Sequence, residues 1–145
     1  MKKGFRYIEH TADIEFIASG KSLEDTFRNA LLALFDTQSD TKKLSKSKGK
    51  KKVFTIRDEA PKLEELLWRA LQDTLSLTDS EARFGYDASG LKITEKKNGY
   101  AFNCRVTTKP QSVELSKLDV KGIAKYDLKV EKKRDGYSAS VVLDV

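Results

Sequence analysis

The stretch His10-Thr11-Ala12-Asp13-Ile14 separates two apolar runs near the start of the chain. Residues 14–19 continue it with apolar side chains at alternate positions, a pattern typical of a strand that places one face on a core. We therefore predict a polar turn between two strands. The last apolar run, residues 137–145, carries Asp144 beside Val145. We expect the fold to bring this distant run to the polar turn, so that Asp13 and Asp144 share one small site.

Two helices follow from the pattern of apolar residues. Ser22 stands three positions before Asp25, which is a helix-start pattern in which a hydroxyl and an acid satisfy free backbone N–H groups. An apolar stripe at helical spacing then predicts a helix over residues 22–36. Leucines at similar spacing predict a second helix after Pro61.

The remaining apolar segments are predicted strands. Asn98-Gly99 and Asp135-Gly136 each separate two of these segments, and such pairs favour tight hairpin turns. In the strand after Gly99, Cys104 shares a face with apolar residues and is expected to be a buried core residue. The order of elements predicts an α+β fold for residues 1–145, a single domain with two helices packed on a largely antiparallel mixed sheet.

The net charge of +6 comes from one segment of the chain. Residues 42–52 hold seven lysines and no acid, so the rest of the chain carries 6 − 7 = −1. Such a tract is usually a solvated loop, and the alternative is a contact with phosphate or RNA. Lys48, Lys50 and Lys51 are the candidates for a contact with RNA or with a protein partner. The tract has no aromatic residue on which a base could stack.

The composition also indicates where the protein acts. No apolar run approaches the roughly 20 residues that span a membrane, so no membrane contact is expected. The first residues lead into polar positions and do not form an apolar signal core. A single cysteine suits a reducing compartment. These features predict a cytoplasmic protein.

The candidate site is limited by what the chain lacks. One histidine and one cysteine rule out zinc-type spacing, and no glycine-rich phosphate loop occurs. Oxygen ligands remain, and hard divalent cations prefer carboxylates and carbonyls, so Asp13 and Asp144 are candidate metal ligands. The alternatives are that Asp13 bonds the backbone of its own turn and that Asp144 is an exposed strand end. His10 is more often a turn or core residue than a ligand.

Several blocks of the sequence closely resemble the archease family. The most specific are residues 7–14 (YIEHTADI), 18–27 (ASGKSLEDTF) and 29–35 (NALLALF), and the likeness continues through residues 63–77 and 128–130 to the final VVLDV. The resemblance covers essentially the whole chain in length and order. One departure is the run Ala124-Lys125-Tyr126-Asp127, where family members commonly carry Thr-Tyr-His-Gly. The lysine tract also looks unusually basic for the family.

The resemblance implies a small metal-binding protein that assists an RtcB-type RNA ligase in tRNA splicing. In that family the helper promotes guanylylation of the ligase and allows multiple turnovers, while the ligase carries the GTP- and metal-dependent reaction. The family's metal carboxylates fall on Asp13 and Asp144, and a backbone carbonyl ligand falls on Val145. His10 would support this site. The implied cofactor is a divalent metal ion, calcium first, with magnesium or manganese as alternatives.

The resulting expectation is an accessory activator, not an enzyme. Its partners would be the ligase and, indirectly or weakly, tRNA. The alternative is an RNA-binding or chaperone-like module that acts through the lysine-rich loop, in which the carboxylates are incidental. A stand-alone metal-dependent hydrolase is disfavoured, because two carboxylates without a general base make a thin catalytic site.

Overall fold

The computed structural model describes residues 4–8 and 13–145 and confirms the predicted α+β fold. Eight strands, three helices and one short 3-10 helix make up this part of the chain. In chain order they are β1 (Phe5–Ile8), β2 (Ile14–Gly20), α1 (Leu23–Gln38), α2 (Thr41–Lys46), β3 (Lys52–Ala60), α3 (Leu63–Ser80), β4 (Arg83–Lys96), β5 (Gly99–Pro110), the 3-10 helix (Val113–Leu115), β6 (Gly122–Ile123), β7 (Lys129–Lys133) and β8 (Gly136–Asp144).

The strands form two sheets, where the sequence predicted a single one. One sheet has the order β1-β2-β8-β6, with β7 also paired to β8, and the other has the order β3-β5-β4. Every strand pair among the described residues is antiparallel. The alternation of side chains shows that a segment is a strand but not which distant strand it pairs with, so the division into two sheets could not be predicted from the pattern.

Helix α1 joins the two sheets into one core. Ser22 Oγ accepts a hydrogen bond from the backbone N–H of Asp25 at 3.0 Å, as the helix-start pattern predicted. The stripe buries Phe27, Leu31 and Leu34 completely. The Phe27 ring lies 6.0 Å from the ring of Phe102 on β5, while other residues of α1 pack on β2 and β8. Helix α3 covers β3 and β5 and also contacts β6, so both helices belong to the same hydrophobic core.

Both predicted hairpins form, but each glycine lies just after its turn. Lys96 pairs with Gly99, which leaves Lys97 and Asn98 as the loop residues, and neither has a positive φ. The tight turn that the sequence predicted is therefore present, but it is not of type I′, which needs positive φ at both central positions. The glycine is required for another reason. A Cβ at Gly99 would lie 2.5 Å from the carbonyl oxygen of Ala60.

The lysine tract is not the continuous loop over residues 42–52 that the sequence predicted. Its first part forms the short helix α2, and its last residue begins β3. The reason is local. Asp40 caps α2 by accepting a hydrogen bond from the backbone N–H of Lys43 at 3.1 Å, and Leu44 is completely buried. A third helix thus joins the two that were predicted.

The helices that the structure describes are short or amphipathic. Within residues 4–8 and 13–145, none is long and apolar enough to cross a lipid bilayer.

Candidate metal centre

Asp13 and Asp144 lie at the same end of the β2–β8 strand pair. Ile14 pairs with Leu143 in this antiparallel ladder. Asp13 directly precedes Ile14, just outside the ladder, and Asp144 directly follows Leu143, so both aspartates lie next to the last pair of these strands. Residues directly opposite in such a ladder have Cβ atoms about 4.5–5.5 Å apart, so residues next to the same terminal pair lie in one small region. The fold therefore brings together the two carboxylates that the sequence analysis placed in one site.

The hydroxyl of Tyr126 also belongs to this group. It donates a hydrogen bond to Asp13 Oδ2 at 3.5 Å, at the long end of the range, and the Tyr126 side chain is exposed. The negative charge of Asp13 is the main cause of a raised Tyr126 pKa, and Asp144 raises it further. The charges of both carboxylates thus act on the same phenol.

Helix α3 positions the segment that carries Tyr126. The indole N–H of Trp68 donates to the carbonyl oxygen of Ile123 at 2.7 Å, and the side-chain oxygen of Gln72 accepts from the Ile123 N–H at 3.1 Å. The ammonium of Lys125 lies 4.2 Å from the centre of the Trp68 ring, within the range of a cation–π contact. These contacts fix the segment on both sides of residue 124, so the Tyr126 side chain leaves from an anchored backbone.

β6 closes the other side of Asp144. Gly122 pairs with Asp144, and the backbone N–H of Lys121 donates to the Asp144 carbonyl oxygen at 2.7 Å. A Cβ on Gly122 would lie 3.8 Å from Asp144 Oδ2, so the carboxylate stands directly beside this glycine. Val145 follows with its side chain packed against the core, which holds its backbone at the same end of β8.

The other predicted site residues are placed differently. His10 lies outside the described residues. Lys48, Lys50 and Lys51 are exposed and belong to the segment between α2 and β3, a region distinct from the aspartate pair. Cys104 is buried, as predicted, and burial raises the pKa of its thiol to about 12, so it is a core residue with no thiolate at neutral pH.

The donor atoms of the aspartate pair are all oxygens. Within residues 4–8 and 13–145, no group of three or more His, Cys, Asp or Glu side chains is placed to hold a metal ion. A cation at Asp13 and Asp144 would therefore need backbone oxygens, such as those of Val145, and water to complete its ligands. Carboxylates, carbonyls and water are the ligands that calcium, magnesium and manganese prefer, so the residues present fit a hard divalent cation.

Comparison with known proteins identifies the family. The model of the Archease protein family (MTH1598/TM1083) matches residues 5–145. The chain belongs to the archease family. The archease of Methanosarcina mazei is 31% identical over 99% of this chain and 97% of its own length. The archease of Pyrococcus abyssi is 33% identical over 99% of each chain.

Solved structures share the archease fold. Protein 1598 of Methanobacterium thermoautotrophicum is 27% identical, with a TM-score of 0.78 over 99% of this chain and 100% of that one. A Thermotoga maritima protein described as an archease and possible chaperone is 21% identical, with a TM-score of 0.61 over 95% of this chain and 94% of that one. The second likeness concerns the fold alone.

Tyr126 is the residue that the sequence analysis did not place in the site. It stands in the run that departs from the family's Thr-Tyr-His-Gly, at the position of the histidine. Asp127 occupies the position of the glycine and has φ of +61°, in the left-handed region that glycine adopts freely and aspartate tolerates. The chain therefore turns at Asp127, and the polar side chain that faces Asp13 is the phenol of Tyr126. The difference from the family run at residues 124–127 is the feature of the sequence that points to Tyr126.

Proposed function

We propose that this archease is an accessory activator of an RtcB-type RNA ligase and that Asp13 and Asp144 form its divalent-cation site. The observation that carries the proposal is that both aspartates lie at the same end of the β2–β8 pair, next to Ile14 and Leu143. They are the same two residues to which the family resemblance assigns the metal. The reaction supported would be the guanylylation and multiple turnover of the ligase in tRNA splicing, in the cytoplasm.

The charges of the site explain why it suits a cation. Two carboxylates held close together repel, and a cation or a proton between them relieves that repulsion. Calcium is the first choice, because it accepts flexible oxygen coordination that includes carbonyls and water, whereas magnesium demands a nearly ideal octahedron. A backbone oxygen of Val145 would be the third protein ligand.

The role of the chain is to hold charge and not to react. Asp13 and Asp144 would hold the ion, and the Tyr126 hydroxyl contacts the Asp13 carboxylate through a long hydrogen bond. The bound ion would supply positive charge that favours the metal arrangement needed in the ligase for guanylylation. The buried Cys104 offers no thiolate, which agrees with a helper that supplies no nucleophile.

Ligase guanylylation measured with Asp13→Ala and Asp144→Ala tests the proposal. We expect either variant to lose stimulation of multiple turnover, while Asp135→Ala keeps it. Asp135 is a matched control because it lies in the turn just before β8, whereas Asp144 ends that strand. Unchanged stimulation by both site variants would contradict the roles proposed for Asp13 and Asp144.

Calorimetric titration with calcium, magnesium and manganese separates metal binding from ligase contact. We expect binding to the wild-type protein and to Asp135→Ala, and none to the two site variants. A site variant that still binds the ion as tightly as the wild type would remove its aspartate from the ligand set.

A further inference from the structure

We propose that the lysine ridge, defined as Lys42, Lys43, Lys46, Lys48, Lys50 and Lys51, is a preformed surface that binds the phosphate backbone of RNA. The surface uses residues other than the aspartate pair. The choice of RNA as the polyanion rests on the proposed function, whereas the preference for phosphate rests on the structure of the ridge itself.

The charges of the ridge are free to meet a partner. All six lysines are exposed, and none forms a salt bridge within the described part of the chain. The neighbouring Lys52 differs, because its ammonium pairs with Glu81 at 3.3 Å. Within α2, Lys42 and Lys46 are one helical turn apart and point away from the buried Leu44. The segment therefore presents charge outward along its length.

The backbone under the ridge is held from below by Lys109, a buried residue of β5. Its ammonium donates to the carbonyl oxygens of Ser45 at 3.0 Å and Ser47 at 2.6 Å, at the end of α2. The Lys109 side chain thus satisfies carbonyl groups that a helix leaves free at its last turn. Because this contact joins residues more than sixty positions apart, the end of α2 is fixed by the tertiary fold.

A second clamp holds the segment just before β3. The Arg83 guanidinium donates to the carbonyl oxygen of Lys50 and also to Thr108 Oγ1, the latter at 2.7 Å. Thr108 Oγ1 in turn donates to the carbonyl oxygen of Lys52 at 2.8 Å. Both ends of residues 45–52 are therefore bound to the three-stranded sheet. Ordering such a segment on binding costs little, because the fold has already ordered it.

The composition of the ridge favours phosphate over a protein partner. The centres of protein interfaces are enriched in aromatic residues and arginine and depleted in lysine. Residues 42–51 contain neither an aromatic nor an arginine, and their only large apolar side chain, Leu44, is buried. Lysine contacts phosphate as a point charge without reading bases. The ridge should thus bind RNA without regard to sequence.

Fluorescence anisotropy with a labelled tRNA transcript, measured over a range of salt, tests the proposal without any ligase. The variant is Lys48→Gln, Lys50→Gln and Lys51→Gln together, which leaves α2 and both clamps intact because the clamps use backbone oxygens. The control is Lys92→Gln, Lys97→Gln and Lys132→Gln, three exposed lysines on β4, in the β4–β5 turn and on β7. Each triple variant lowers the net charge by the same amount, from +6 to 6 − 3 = +3.

We expect the ridge variant to bind at least about tenfold more weakly near physiological salt, and its slope of log K against log salt to be shallower by about 2–3, since each phosphate contact contributes about 0.7–0.9. The control should bind within about twofold of the wild type. An unrelated RNA of the same length should bind as the tRNA does.

Three results would overturn the proposal. The ridge variant could bind as tightly as the wild type, or the control could lose as much affinity, which would assign binding to net charge. A strong preference for the tRNA over the unrelated RNA would mean base contacts. The assay contains no ligase, so its result does not depend on whether the protein activates a ligase. A ridge variant that keeps its RNA affinity but loses ligase stimulation would assign the ridge to a protein contact.

Discussion

The hydroxyl of Tyr126 lies 3.5 Å from Asp13 Oδ2, although 113 residues separate the two in the chain. The contact depends on α3, which holds the segment around Ile123, and on the β2–β8 pair, which carries Asp13 to the end of β8. It places a neutral donor beside the aspartate pair. The contribution of Tyr126 to cation binding can therefore be tested separately from that of the two carboxylates.

Tyr126→Phe should weaken calcium binding by less than about tenfold. The hydrogen bond is long and exposed, so its loss is worth about 1 kcal/mol or less. Asp13→Asn should remove binding within the range that calorimetry detects, because the proposed site would lose one of its two negative charges. Tyr137→Phe, on the start of β8, serves as the control and should bind as the wild type does. If Tyr126→Phe abolished binding, the phenol would have to be a ligand itself.

Gly136→Ala should destabilise the fold by about 1–3 kcal/mol, because a strained backbone position is also a close contact. Gly136 has φ of +150°, and a Cβ there would meet the carbonyl oxygen of Gly20 and lie 3.0 Å from Lys21 Cα. Gly122→Ala is the matched control, since its nearest contacts would be at 3.7 Å and 3.8 Å and its φ is not positive. Urea unfolding measures both. Equal stabilities for the two variants would contradict the packing argument.

The stability of the protein should fall as pH rises from about 4 to about 7. Asp58 on β3 faces Asp73 on α3. Burial, together with the hydrogen bond and the repulsion from the Asp73 carboxyl, raises the Asp58 pKa from 3.8 to about 7. The folded state binds this proton more tightly than the unfolded chain does. The contribution is therefore fully present below the unfolded pKa and is lost as pH passes through the folded one.

Over this pH range the free energy of unfolding of the wild type should fall by about 1 kcal/mol, a value reduced because solvent reaches this partly exposed carboxyl. Asp58→Asn should remove that fall. Urea unfolding at each pH measures both proteins. Asp135→Asn, at an exposed hairpin turn, should keep the pH dependence of the wild type. A wild-type stability that did not change over this range would show that the two carboxyls do not share a proton.

Lys109→Met should loosen the lysine ridge while leaving every ridge lysine in place. Without the ammonium, the carbonyl oxygens of Ser45 and Ser47 lose their donor, which costs about 1–3 kcal/mol. Hydrogen exchange of the amides in residues 44–50 should accelerate, and RNA affinity should fall. Lys97→Met, which removes an exposed lysine, should change neither. Unaltered exchange in the first variant would mean that Asp40, Leu44 and the Arg83 contact fix the segment without Lys109.

Local features of the fold could be predicted because neighbours in sequence decide them. The Ser22 cap and the apolar stripe of α1 lie within a few residues of each other, and both formed as expected. The two hairpins also formed, but their turn types did not follow from Asn-Gly and Asp-Gly. At Gly99 a side chain is excluded by the carbonyl oxygen of Ala60, which belongs to another strand.

The α+β class, helix α1 and the burial of Cys104 could be predicted from the sequence alone, and the archease motifs pointed to Asp13 and Asp144 as a pair. Three contacts could be seen only in the folded chain: Ile14 with Leu143, Tyr126 with Asp13, and Lys109 with the lysine tract. The two groups differ in how far apart the contacting residues lie in the sequence. Caps, stripes and turns depend on contacts a few residues apart, whereas these three contacts depend on which distant strands and helices bury one another.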